Sequence, residues 1–84
     1  MAINIKKVSG AILISQDGGT PNVFYARSAE IEYNANAQTF EIVIGSSNYT
    51  VKLSDLRFGT TNQVPTSAEN ATVLFNAIFT NTAF

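Results

Sequence analysis

Phe40-Glu41-Ile42-Val43-Ile44-Gly45-Ser46-Ser47-Asn48-Tyr49-Thr50-Val51-Lys52-Leu53 is the stretch that decides the fold class. Phe40, Ile42 and Ile44 recur at every second position, as do Tyr49, Val51 and Leu53. A period of two places each set on one face of a strand, with Thr39, Glu41 and Val43 behind the first and Thr50 and Lys52 behind the second. Gly45-Ser46-Ser47-Asn48 supplies the turn, so the segment reads as an antiparallel hairpin with one apolar face. Lys52 is expected near Glu41 across it.

Upstream, Glu30-Ile31-Glu32-Tyr33 has the same period and reads as a half-buried strand, joined to the hairpin by the Asn-rich loop Asn34-Ala35-Asn36-Ala37-Gln38. Asn22 to Arg27, with Val23, Phe24 and Tyr25, reads as another strand. Before it, Gln16-Asp17-Gly18-Gly19-Thr20-Pro21 reverses the chain. The first segment alternates at Ile3 and Ile5 and ends in the run Ala11 to Ile14. It reads as one long strand bent or bulged near Gly10, or as two short ones.

Downstream the pattern changes. Ser54 to Pro65 reads as a connecting loop with Leu56 and Phe58 tucked inward, long enough to carry the chain back over the sheet. Thr66-Ser67-Ala68-Glu69 fits a capping box, in which Thr66 caps the helix and Glu69 reaches back. Ala71, Leu74, Phe75 and Ile78 then follow at helical spacing as a core-facing stripe, widened by Val73, Ala77 and Phe79. The expectation is one α+β, mostly β domain over residues 1–84, with β-sheet over 1–53, a loop over 54–65 and a C-terminal amphipathic helix over 66–81. The antiparallel sheet, of about five or six strands, is expected to curl into a small roll or barrel with that helix packed on it. Internal repeats, low-complexity tracts and linkers do not appear.

The 84 residues have a mass of 9.0 kDa, room for a single core. A chain this size buries roughly 60–65% of the surface its unfolded form exposes, a marginal fold. With no Cys, neither disulfides nor thiolate metal sites can staple it. Charged residues make up 13% of the chain against a typical share of about 25%. Asn, Thr and Ser supply about thirty per cent, so the surface is expected to be neutral, hydrogen-bonding and weakly self-repelling, suited to dense packing beside copies or partners.

A net charge of −1 with five scattered basic residues offers no cluster of phosphate contacts, which argues against nucleic-acid binding. The pair Lys6-Lys7 is expected to solubilise an edge strand. Met1 to Ser15 is interrupted by Asn4, Lys6, Lys7 and Ser9, so no secretion signal is read there. The longest apolar runs fall far below the ~20 residues of a membrane span. A soluble protein with no membrane partner is expected.

Chemistry is sparse. Absence of His and Cys removes the commonest general base and the softest nucleophile. Glu30 and Glu32 share a strand face about 7 Å apart, which is ordinary exposed patterning rather than a catalytic pair. Asp17-Gly18-Gly19 lacks both the acidic series of a calcium loop and the Lys of a phosphate loop, and reads as a turn. No catalytic residue, cofactor or metal site is expected. Most aromatic residues fall on inward faces. Val73, Phe79 and Phe84 are the surplus apolar positions near the chain end and form the candidate protein interface.

The arrangement of a Lys-bearing β start, an Asp-Gly turn, two short hairpins and the helix Pro65-Thr66-Ser67-Ala68-Glu69-Asn70-Ala71-Thr72-Val73-Leu74-Phe75-Asn76-Ala77-Ile78-Phe79 resembles small structural proteins of tailed bacteriophages. It covers most of the chain. The resemblance implies a non-enzymatic virion or assembly component, present in many copies as an auxiliary capsid, head-associated or tail-associated protein. Its partners would be other protein subunits in a homo- or hetero-oligomer, and its location the virion or the host cytoplasm. The alternative is a small regulatory or inhibitory protein-binding module of phage or mobile-element origin.

Overall fold

Turn chemistry sets the strand boundaries. In the computed structural model, residues 2–25 and 29–80 are described, with Phe79 described by its backbone alone. Ser9 and Gly10, at φ 52° and 82°, form a two-residue reversal of the I′ kind. That turn converts the first segment into a hairpin of β1 (Ile3–Val8) and β2 (Ala11–Gln16), with Val8 opposite Ala11. Of the two readings open for this segment, two short strands is the one adopted. Asp17 to Pro21 then reverses the chain into β3 (Asn22–Phe24), which ends before Arg27, a residue outside the described ones.

After β4 (Ala29–Asn34), the Asn34 side chain holds the next loop by accepting from the backbone N–H of Asn36 and Ala37. The hairpin of β5 (Thr39–Ile44) and β6 (Ser47–Lys52) follows, but a two-residue turn, Gly45-Ser46, closes it in place of the expected four residues Gly45 to Asn48, which moves the register by two. Its reverse face pairs differently from the expectation. Thr50, not Lys52, lies opposite Glu41 and donates to its Oε1 at 2.9 Å, while Lys52 lies opposite Thr39.

The segment read as a loop holds a short 3-10 turn at Leu53–Asp55 and a seventh strand, β7 (Leu56–Phe58). This strand pairs in parallel with β1, Ile3 opposite Leu56 and Ile5 opposite Phe58. Leu56 and Phe58 are buried, as expected. The chain then folds back through Gly59 to Asn62, with paired backbone bonds between Phe58 and Gln63.

The result corrects the expectation of one antiparallel sheet rolled into a barrel. The described strands form two open sheets, a mixed one ordered β3-β2-β1-β7 and an antiparallel one ordered β4-β5-β6. The physical reason lies in the pairing: β7 returns to fill the side of β1 at Ile3 to Ile5, and no ladder among the described strands joins that sheet to β4, β5 and β6. β7 pairs with β1 only at Ile3 to Ile5, so Lys6 and Lys7 lie beyond its cover, at the far end of a strand that is interior over its first half.

Both sheets give their inner faces to one core. Ile3, Ile5, Ile12, Ile14, Leu56 and Phe58 come from the mixed sheet, and Phe40, Ile42, Ile44 and Val51 from the antiparallel one. Burial of each such side chain contributes about 1.5–3 kcal/mol. The sheets also touch at β3 and β6, where Phe24 meets Tyr49 edge-on and the Asn22 amide donates to the Tyr49 hydroxyl at 3.1 Å.

Helix α1 (Ala68–Thr80) contacts β1 and β4, one strand from each sheet. Ala71, Leu74, Phe75 and Ile78, the expected stripe, are all buried. The cap lies one residue later than read. Ser67 Oγ accepts from the Asn70 N–H at 3.0 Å, and Asn70 Oδ1 accepts from the Thr66 N–H at 3.0 Å. Ser67 and Asn70 therefore perform the reciprocal capping assigned to Thr66 and Glu69, and Glu69 is exposed. The expected extension to residue 81 lies outside the described residues.

Candidate functional site

Alternation that sends Ile3 and Ile5 inward sends Asn4 and Lys6 to the outer face of the mixed sheet. Pairing extends this pattern sideways. Arg57 and Ser15 both lie opposite Asn4, and Leu13 lies opposite Lys6 with Val23 beyond it. The outer face therefore carries a polar row, Arg57-Asn4-Ser15, beside Lys6-Leu13-Val23.

Two loops raise this face into a groove of about 460 Å³, with Asp17 to Pro21 on one rim and Gly59 to Asn62 on the other. Hydrogen bonds fix both rims. Ala2 and Asp17 bind reciprocally, the Ala2 N–H donating to Asp17 Oδ1 and the Asp17 N–H to the Ala2 carbonyl, both at 2.8 Å. The Asn4 amide donates to the Gly59 carbonyl at 2.9 Å and to Asn62 Oδ1 at 2.8 Å.

The groove's cations are Lys6 and Arg57. Arg57 Nη1 donates to the Ser54 and Leu56 carbonyls at 2.9 and 2.8 Å, which pins the guanidinium. Its Nε and Nη2 donors are not engaged by described residues. Lys6 makes no hydrogen bond or ion pair with a described residue. Asp17 lines the same groove, so two cations and one carboxylate face it, and the spare Arg57 donors suit an incoming carboxylate, which Arg can bind through two of them.

The outer face of the antiparallel sheet has the opposite character. Its rows are Asn34-Thr39-Lys52, Glu32-Glu41-Thr50 and Glu30-Val43-Asn48. All three Glu side chains are exposed, and Glu32 stands directly opposite Glu41, a like-charge pairing that disfavours the strand contact. Lys52 is the cation of this face, diagonal to Glu41. Among the described residues, no group of three or more metal-ligating side chains is placed to hold an ion.

A second cavity of about 580 Å³, between the Ala37-Gln38 loop and Val64-Pro65, contains one charged side chain, Lys52. Among the described residues, no helix is long and apolar enough to cross a membrane.

Of the interface positions named from sequence, Val73 is 60% exposed, off the buried stripe that it was expected to widen. The Phe79 side chain and all of Phe84 lie outside the described residues. Among the other aromatics Phe40, Phe58 and Phe75 are buried, but Tyr25 is 80% exposed. The groove was not among the sequence expectations. The alternation of Asn4 and Lys6 pointed to an outer polar face, but the partner Arg57 follows only from the parallel pairing of β7. No family model, no curated protein and no solved structure matches the chain.

Proposed function

We propose that this domain is a non-enzymatic structural or assembly protein that works through protein–protein contacts in multiple copies. The setting implied by its resemblance is a bacteriophage virion, as an auxiliary capsid, head-associated or tail-associated component, located in the virion or the host cytoplasm. The observation that carries this reading is the open three-stranded sheet. It ends in two six-residue strands, β4 and β6, whose outer edges pair with no further strand among the described residues. Such edges are covered by a partner, or protected by charge and bulges, in proteins that remain apart. A low-charge surface rich in Asn, Thr and Ser supports close packing of neighbours in the same way.

Light scattering across a concentration series, with mass spectrometry of particles purified from the producing host, tests the reading. Oligomers in solution and the chain in particles are expected. A strict monomer that is missing from particles overturns it. The groove on the mixed sheet favours one other reading, a small regulatory or inhibitory module that captures a single acidic protein, for which one tight heterologous partner is expected.

A further inference from the structure

The outer faces of the two sheets, which share one core, differ in charge: one holds Lys6 and Arg57 with Asp17 at the rim, the other Glu30, Glu32 and Glu41 with Lys52. We propose that the Glu32-Glu41 face of one copy docks into the Lys6-Arg57 groove of a second copy, so that copies join head to tail. The inference rests on the assembly reading above and specifies its partner and contact.

Three features select a second copy as the occupant. The first is charge complementarity at the level of residues. Lys6 has no partner among the described residues, and Arg57 is held in place with donors to spare. On the other face, Glu32 and Glu41 oppose each other, and a Thr50 hydroxyl satisfies only one oxygen of Glu41. Docking brings cations to this repelling pair and carboxylates to the groove.

The second feature is the pattern of repulsion. A twofold contact would place carboxylates against carboxylates or the groove's cations against cations. Like-charge juxtaposition disfavours either face packing on its own copy, whereas the front-to-back arrangement sets opposite charges together. The third is the net charge of −1, too small to keep copies apart by long-range repulsion. Since the two contacting patches differ, each copy retains one free patch after docking. The contact is heterologous and propagates into a ring if its rotation closes, or into a filament if it does not.

The test uses the full chain with Lys6→Glu and Glu32→Lys as separate variants, each checked by circular dichroism and followed by sedimentation velocity. Wild type is expected to associate with rising concentration. Raising salt from about 0.01 to about 1 M, which shortens the screening length from about 30 to about 3 Å, is expected to weaken it at least about tenfold. Each variant alone is expected to lose at least about tenfold in apparent affinity. An equimolar mixture of the two is expected to associate again, since the intact carboxylate face of one meets the intact groove of the other. That recovery also shows that both variants are folded.

Association that neither salt nor either substitution changes overturns the docking mode while leaving the assembly reading in place. A wild type that remains monomeric at every concentration overturns the docking as well. The assembly reading falls with it only if the chain is also missing from particles. A monomeric wild type whose groove instead binds an acidic protein of different sequence, sensitive to Lys6→Glu, overturns self-docking in favour of a foreign partner.

Discussion

The two sheets are alike inside and opposite outside. Each contributes alternate Ile and Phe side chains to the same core, Ile5 and Phe58 on one side and Ile42 and Phe40 on the other, all fully buried. On their outer faces the mixed sheet presents Lys6 and Arg57 in a groove, and the antiparallel sheet presents Glu30, Glu32 and Glu41. A net charge of −1 conceals this division, because opposite signs cancel in the sum. In a chain with so few charges, strand parity and register decide the character of the surface more than composition does.

The strongest test of the likeness concerns the core. Phe58→Ala and Phe40→Ala each remove a fully buried ring, one from each sheet, and each is expected to cost about 3–5 kcal/mol. In a domain of this size that loss approaches the total stability. Urea unfolding followed by fluorescence and circular dichroism is expected to show both variants losing structure in a single transition. A variant that melts only its own sheet, seen by amide exchange, would divide the core into two units.

This comparison also explains what the sequence revealed. The β5·β6 hairpin and the stripe Ala71, Leu74, Phe75 and Ile78 were legible because their signals are local: strict period two, a Gly turn and helical spacing. Ser9-Gly10 was ambiguous because a Gly within an apolar run signals a bulge as readily as a reversal. β7 escaped notice because three residues are too few to display a period. The groove escaped with it. Arg57 stands beside Asn4 only through a parallel pairing between distant parts of the chain, and no local pattern specifies that register. The carboxylates of β4 and β5 were visible individually, but their direct opposition depended on the length of the Asn-rich loop.

Backbone and cap substitutions probe the sheets at smaller cost. Gly10→Ala and Gly45→Ala introduce a Cβ into open space at φ 82° and 59°, so the penalty comes from the left-handed backbone alone, about 1–2 kcal/mol each. Gly10→Asn is expected to cost less than Gly10→Ala, because Asn tolerates that region. Thermal melts of the three variants check the order. Ser67→Ala removes the observed cap and is expected to cost about 1 kcal/mol, while Thr66→Ala leaves the Ser67–Asn70 bond intact and costs less. Because α1 contacts both sheets, amide exchange in Ser67→Ala is expected to quicken in both alike.

The smallest expected effect separates the two outer faces most sharply. Glu32→Gln keeps the size and polarity of the side chain but removes one charge from the Glu32–Glu41 opposition. On an exposed face this relief is expected to stabilise the fold by only a few tenths of a kcal/mol, and added salt should shrink the gain. Lys6→Gln, on the face with no directly opposed like charge, is expected to leave fold stability unchanged. Head-to-tail docking gives these substitutions a second signature. Both are expected to weaken association, so Glu32→Gln should move folding and association in opposite directions. Urea titrations at low protein concentration, set beside sedimentation at high concentration, measure the two separately. If Glu32→Gln weakens both together, the carboxylate pair supports the fold rather than a contact between copies.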